Sequence, residues 1–366
     1  MKNNNKTNSL KSEIKQTSFG ILTTLITDIE ISAKDSISCN GKTLLANYVS
    51  KKNSKYNLVY TIVDSEGNSE SFIEDEGILP TLFLSPNKEN YVSVVPYNPD
   101  KELEISIPVF NRENTELPIG NRPFTGRFIG TSNQFSIFHE VDVFSDIKPD
   151  KLVAIEFKND VIKKKHNIKV ALPRNNNIFI SNNEIHLLAH DGSRWLHRQI
   201  NEKGEEIKNR KLDTKQEDYL QILSLSFCQN SYLLAQKEGN VIIEKITIDG
   251  NVEVVELIDI TDPFFNTWQP VEIAENTYVT RFNNEFGNGW FTIKDDQLLE
   301  FFYSKKEKGY KNLLTNDFLQ MDSDNLIISS ITKTTENCYA IVFYPMTEQH
   351  TKNNKLIILN HKIKEQ

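Results

Sequence analysis

The sequence predicts an all-β fold assembled from repeats of one small antiparallel sheet, and three observations carry that expectation. The stretch from Asn182 to Leu257 says nearly the same thing twice. Leu187-Leu188-Ala189-His190 and Leu233-Leu234-Ala235-Gln236 each lead through a polar turn and a mixed segment to a second turn. The distance from the leading leucine to the turn glycine, Gly204 or Gly250, is 17 residues in both passes. Apolar residues fall on both faces of the strands, as in Val241 and Ile243 against Ile242 and Ile246. Hairpin turns punctuate the chain at Asp64-Ser65-Glu66-Gly67-Asn68, Asn201-Glu202-Lys203-Gly204 and Asp249-Gly250-Asn251.

A period of about 46 residues with four strands is the size of one propeller blade. A lone four-stranded sheet cannot bury two apolar faces, whereas sheets stacked around an axis bury them all. We therefore expect a β-propeller of seven four-stranded blades, with six or eight as neighbouring counts and tandem β-sandwiches as the alternative. The chain divides into a disordered tail over 1–18, one propeller domain over 19–361 and a C-terminal tail over 362–366.

In order along the chain, Ile21 to Thr27 is the candidate strand that closes the ring by joining the last blade, with an amphipathic helix as its rival. Blade one takes Ile37 to Ile73. There Leu44-Leu45-Ala46-Asn47 repeats the double-leucine motif, and the distance to Gly67 grows to 23, most simply through the Lys51 to Tyr56 loop. Blade two is Thr81 to Glu116, with prolines at turns or an edge. Blade three is Phe128 to Lys169, and blades four and five are the tandem pair. Blade six is Val271 to Tyr303 and blade seven Phe318 to Leu359. Leu79-Pro80, Leu117-Pro118 and Leu172-Pro173 mark crossovers between blades.

Composition narrows the function. The 366 residues are 25% charged and 38% hydrophobic, which is globular. The net charge of -8, with Lys and Arg interspersed among acids, argues against nucleic acid. The first 18 residues hold no secretory apolar run, and no later stretch approaches a membrane span, so a soluble, cytoplasmic protein is expected. Cys39, Cys228 and Cys338 lack metal or disulfide spacing and read as small buried hydrophobes.

Chemistry is sparse. His186 and His190 share strand parity while His197 points away, and with Arg194 and Arg198 nearby they read as a polar strand face rather than a metal site. His139, His166, His350 and His361 have no local partners. Phe286-Gly287-Asn288-Gly289-Trp290 lacks the residues of a phosphate loop and reads as a flexible loop. Asp259 with Asp262, and Glu74-Asp75-Glu76, are carboxylate groupings that a sugar-cleaving site could use and that solvated crossovers also explain. The hairpin turns resemble fragments of calcium loops without the full ligand spacing. The crossover from Thr261 to Pro270 stands out, because Phe264, Phe265 and Trp268 in a proline-bounded loop either pack into the rim or await a partner. Arg281 and Trp290 lie near in sequence.

These features resemble the β-propeller superfamily over Ile21 to Leu359, without the repeated signatures of WD40, kelch or sialidase chains. The resemblance implies a shape and binding on one rim, and it transfers no catalytic residue. The expectation is a non-enzymatic scaffold that binds another protein through Phe264, Phe265, Trp268, Arg281 and Trp290, with no cofactor, metal or membrane partner. The alternatives are a carbohydrate-active enzyme or sugar-binding protein at the channel mouth, and a small-ligand or metal sensor.

Overall fold

The structure, a computed structural model, describes residues 11–27, 31–50, 56–74, 81–84, 91–94, 104–107, 115–118, 126–133, 135–140, 151–158, 161–170, 176–181, 183–190, 195–211, 221–226, 231–237, 240–246, 252–259, 266–267, 271–275, 277–283, 287–295, 297–305, 308–321, 323, 325–345 and 355–363. Every element among them is a β-strand. The N-terminal hairpin is β1 (Lys11–Thr17) and β2 (Gly20–Ile26). The first complete sheet is β3 (Ile31–Cys39), β4 (Lys42–Ser50), β5 (Tyr56–Val63) and β6 (Ser69–Glu74). Two short ladders follow, β7 (Thr81–Leu84) with β8 (Tyr91–Val94) and β9 (Glu104–Ile107) with β10 (Thr115–Pro118). Next come three four-stranded sheets. The first holds β11 (Gly126–Ser132), β12 (Phe135–Glu140), β13 (Lys151–Lys158) and β14 (Val161–Ile168). The second holds β15 (Asn176–Ser181), β16 (Glu184–His190), β17 (Trp195–Ile200) and β18 (Glu206–Lys211), and the third β19 (Gln221–Ser226), β20 (Ser231–Lys237), β21 (Asn240–Ile246) and β22 (Val252–Asp259).

The end of the chain is larger. A seven-stranded sheet contains β23 (Asn266–Thr267), β24 (Val271–Ala274), β25 (Thr277–Asn283), β26 (Asn288–Lys294), β27 (Gln297–Ser304), β28 (Gly309–Asn312) and β29 (Phe318–Gln320). The closing sheet joins β30 (Leu326–Thr335), β31 (Cys338–Pro345) and β32 (Lys355–Lys362) to β2 and β1. The expectation of seven equal four-stranded blades is therefore corrected: among the described residues four sheets have four strands, the last two have seven and five, and two ladders have two. Phe318, expected to open the last blade, belongs to the sheet before it.

Closure follows the reading of Ile21 to Thr27 as a strand. β2 pairs antiparallel with β32 from Gly20↔His361 to Ile26↔Lys355. Two boundaries move outward. Lys11–Thr17, expected in a disordered tail, adds a further strand outside β2. At the other end Ile363 is buried and donates its N–H to the Asn337 carbonyl.

The closing sheet is buried on both faces, and this separates a ring from a row of sandwiches. Leu356 and Ile358 of β32, Ala340 and Val342 of β31 and Leu25 of β2 pack with Leu45, Val59 and Val63 of the first sheet. The alternating residues Ile357, Leu359, Tyr339, Ile341, Phe343 and Leu22 pack with Trp290, Phe302, Tyr310 and Leu319 of the seven-stranded sheet. Successive strand residues point to opposite faces, so an uninterrupted apolar run such as Leu356 to Leu359 is what a sheet needs when neighbours cover both sides. A third cluster joins Ile137, Leu152 and Ala154 to Ile178, Ile185 and Leu187 in the same stacked manner.

The repeat is visible in detail. Leu44, Leu187 and Leu233 each lie on the second strand of their sheet. The turns carrying Gly67 and Gly204 are built alike, with glycine φ of 87° and 83°. In each, the leading Asp64 or Asn201 side chain accepts two backbone N–H groups, Glu66 and Asn68 at 3.0 and 2.8 Å and Lys203 and Glu205 at 3.0 and 2.9 Å. The Asp64 carboxylate is thus committed to the turn itself. The longer spacing of the first sheet is mostly a lengthening of strands: β4 and β5 have nine and eight residues where β16 and β17 have seven and six.

A second periodic signal sits at the tip between first and second strands. Asn40, Asn133, Asn183 and Asn337 occupy that place with φ of 50°, 50°, 62° and 56°. Asparagine tolerates the left-handed conformation a tight hairpin needs. These tips touch the next sheet: Asn133 N donates to Asn183 Oδ1 at 3.1 Å and Gly41 N to the Thr334 carbonyl at 3.0 Å.

Candidate functional site

The expected binding residues are dispersed. Phe264, Phe265 and Trp268 lie outside the described residues, although Asn266 and Thr267 between them form β23. β23 pairs with the end of β25, Asn266↔Asn283 and Thr267↔Phe282. The crossover therefore joins the sheet at the end where β25 turns into β26. Arg281 is half-buried and donates from a guanidinium nitrogen to the Ile328 carbonyl of the closing sheet. Trp290 is 0% exposed, stacks on Phe302 of its own sheet with centroids 4.5 Å apart and meets Phe343 of the closing sheet at 6.0 Å, so its ring offers no surface to a partner.

The glycines before Trp290 have a structural cause different from loop flexibility. A Cβ on Gly289 would lie 1.9 Å from the Phe302 carbonyl oxygen and 2.6 Å from Phe282 Cζ, and one on Gly287 2.1 Å from the Ser304 carbonyl oxygen. Glycine is needed here because β27 and an aromatic ring press against the backbone.

Trp290 opens onto a buried polar cluster. Its indole Nε1–H donates to Tyr339 Oη at 3.0 Å, and the Tyr339 hydroxyl donates to Glu300 Oε2 at 3.3 Å. Thr292 Oγ1 donates to the same carboxylate oxygen at 3.4 Å. His361 Nε2 lies 3.0 Å from both Glu300 oxygens, and its Nδ1 lies 2.7 Å from the Phe19 carbonyl. A carbonyl only accepts, so Nδ1 carries a proton. Burial, followed by the charge of Glu300, pushes the Tyr339 hydroxyl well above its usual range and keeps it a donor. Burial likewise pushes up Tyr310, which donates to Asn288 Oδ1 at 2.7 Å. The cluster bonds β26, β27, β31, β32 and the residue before β2 to one another. It is an acid, a base and a phenol in hydrogen-bond contact, but sealed: His361 is 2% and Glu300 9% exposed. Its chemistry is that of a clasp between sheets.

The other histidines also depart from expectation. His197 does not point away from His186; the rings stack at 5.3 Å and Nδ1 of His186 lies 3.1 Å from Nε2 of His197. The register explains this. His186 faces Gln199 and Leu188 faces His197, so residues of opposite parity on β16 and β17 share a side. Odd-even counting holds within one strand and is reset by a hairpin. His166, expected alone, meets Glu156 at 3.4 Å. Cys338 is half-buried rather than buried. The side chains of His190, Cys39, Asp259 and Glu74, together with residues 75, 76, 194, 228 and 262, lie outside the described residues. Among the described residues no three His, Cys, Asp or Glu side chains gather as metal ligands, and no helix is long and apolar enough to cross a membrane.

No family model matches the chain, and no curated protein matches its sequence. Solved structures do. The β-propeller domain of the Trilobed protease from Pyrococcus furiosus, described as having an open velcro topology, is 10% identical with a TM-score of 0.51, over 92% of this chain and 98% of that one. The fold is a β-propeller. Prolyl oligopeptidase B from Galerina marginata is 8% identical with a TM-score of 0.52, over 90% of this chain and 52% of the other. A puromycin-hydrolysing peptidase from Mycobacterium tuberculosis is 9% identical with a TM-score of 0.50, over 98% and 56%. The propeller spans about half the length of those two peptidase chains. At such identities the likeness concerns the fold alone.

Proposed function

We propose that this propeller is a scaffold that binds another protein on the rim where β23 enters the seven-stranded sheet. The observation that carries this reading is the register Asn266↔Asn283 and Thr267↔Phe282, which joins β23, inside the crossover, to the end of β25. Phe264, Phe265 and Trp268 flank β23 in sequence. Aromatic residues at a polar rim are the side chains that most often dominate protein interfaces. Arg281, on the same strand β25, bonds to the Ile328 carbonyl of the closing sheet.

The test compares the wild-type chain with a Phe264→Ala, Phe265→Ala, Trp268→Ala variant in quantitative capture from native lysate, followed by titration of the purified captured protein. The expected result is a partner whose affinity falls about tenfold or more in the variant, with the urea midpoint unchanged. Equal affinity for both chains overturns the rim reading.

A further inference from the structure

The closing sheet departs from the four-stranded sheets at its outer edge. Beyond β2, which holds the place of a fourth strand, it carries β1 as a fifth, and this sets its edge about 4.8 Å farther out. β1 pairs with β2 from Lys11↔Ile26 to Thr17↔Gly20 and, among the described residues, has no strand on its other side. Lys11 to Gln16 are exposed. The strand is nonetheless firmly placed. Thr17 Oγ1 donates to the Gly20 carbonyl at 2.8 Å and accepts the Phe19 N–H at 3.1 Å, which fixes the turn into β2. Ile14 rests against the first sheet, where a Cβ on Gly67 would come 3.2 Å from its Cγ2, yet it stays 49% exposed.

The backbone decides how such an edge can be extended. In an antiparallel ladder closed by a two-residue turn, the pair flanking the turn exchanges both bonds and the next pair exchanges none. Thr17, Lys15, Glu13 and Lys11 therefore bond inward to β2, and the N–H and C=O groups of Ser12, Ile14 and Gln16 aim outward. Two copies of β1 laid antiparallel overlap over the whole strand only when centred on Ile14. That register joins outward groups to outward groups, with Ile14 opposite Ile14 and Ser12 opposite Gln16, and it sets Glu13 opposite Lys15 twice. The neighbouring registers, centred on Glu13 or on Lys15, put like charges face to face, which is unfavourable. Lysine on an edge ordinarily guards against pairing; alternating with glutamate at this spacing, it permits one register. The other exposed isoleucine of an edge strand, Ile207 on β18, lacks these conditions. Its ladder is irregular between Glu206 and Lys208, Arg198 engages Glu206 at 2.8 Å, and Lys208, Arg210 and Lys211 make the edge basic.

We infer that β1 is a self-association edge, through which a second copy of this chain joins its closing sheet antiparallel about a twofold axis at Ile14. The result is one continuous sheet with five strands from each copy. The occupant is named by the edge itself, whose charges complement their own reverse order. Such an isologous contact uses the edge of both copies and closes at two. A single ladder buries less than the roughly 1,200–2,000 Å² of a standard interface, so the dimer is reversible and forms at high concentration. None of the crossover residues takes part.

Sedimentation velocity of the full chain, from low micromolar to near-millimolar concentration, tests this. The wild-type chain is expected to pass from monomer to dimer. Glu13→Lys and Lys15→Glu each set like charges opposite one another and should weaken the dimer about tenfold. An equal mixture of the two variants, or both changes in one chain, restores opposite charges and should recover it. Both side chains are exposed, and recovery in the mixture excludes a folding defect as the cause of the loss. Amide exchange at Ser12, Ile14 and Gln16 should slow as concentration rises. A chain that stays monomeric throughout, whether a different protein covers the edge or nothing does, overturns the proposal. So does a dimer that neither variant weakens, a mixture no tighter than its components, or protection of Ile14 independent of concentration, the sign of coverage by the chain's own residues 1–10. The Phe264→Ala, Phe265→Ala, Trp268→Ala variant should dimerise as the wild type does; a dimer lost there lies on the crossover and overturns the edge contact.

Discussion

The closing sheet meets its two neighbours by different physical means. Against the seven-stranded sheet it presents rings and one buried acid-base pair: Trp290 meets Phe343 edge-on with centroids 6.0 Å apart, Tyr310 and Phe343 lie 5.3 Å apart, and His361 meets Glu300 in the middle. Against the first sheet it presents small polar groups around an aliphatic centre. Ser36 bonds Ser330, Ser38 bonds Thr332, Thr23 Oγ1 donates to the Gly67 carbonyl at 3.2 Å, and Asn360 Nδ2 donates to the Asp64 carbonyl at 2.9 Å. Both seams bury apolar area, which dominates stability. The aromatic seam concentrates energy in a few residues, whereas the hydroxyl seam spreads it over many modest bonds that fix alignment.

The largest expected loss is Trp290→Ala, about 3–5 kcal/mol for a buried aromatic removed, read from urea unfolding. If its cost is under that of the serine variants below, the contrast between the seams is broken. Removing one member of the buried pair, His361→Ala, is expected to cost about 3–5 kcal/mol as well, because Glu300 is left without its main partner. The double variant with Glu300→Gln should recover part of the loss in a mutant cycle, and strict additivity would show that the two groups do not act as a pair.

The aromatic seam should also be the alkali-sensitive one. Tyr310 and Tyr339 are both pushed up from the usual value near 10 by burial. Their folded forms keep a proton that the unfolded chain gives up, so stability is intact below about pH 10 and falls above it. The slope approaches about 1.4 kcal/mol per pH unit for each tyrosine. Tyrosinate absorbance should rise together with unfolding, and Tyr310→Phe should make the fall shallower. The smallest effects are expected from Ser36→Ala and Ser38→Ala, about 0.5–1.5 kcal/mol each, with faster hydrogen exchange confined to β3 and β30.

What the sequence disclosed and what it withheld divide along range. The closing strand was legible because Ile21 to Thr27 alternates within itself, and the turns at Gly67 and Gly204 because their chemistry is local. The asparagine tips were equally local, since Asn183 and Asn337 stand directly before β16 and β31 in the sequence. A search keyed on leucine spacing passes over them. The clasp had no such signal, since the partners of His361 are 61 and 342 residues away in the chain. The glycines before Trp290 carry no local sign of their role for the same reason, as their close neighbours come from the backbone of another strand. At the candidate site, the register of β23 links the crossover to a sheet end.

The pairing of Gly20 with His361 orders events during synthesis. An emerging chain holds β2 long before β32, the strand that receives it, leaves the ribosome. Until then Leu22 and Leu25 must be shielded by transient neighbours or by a chaperone. The circle is completed only once β32 has emerged, and a transcript cut short before β32 encodes a ring with its final seam open.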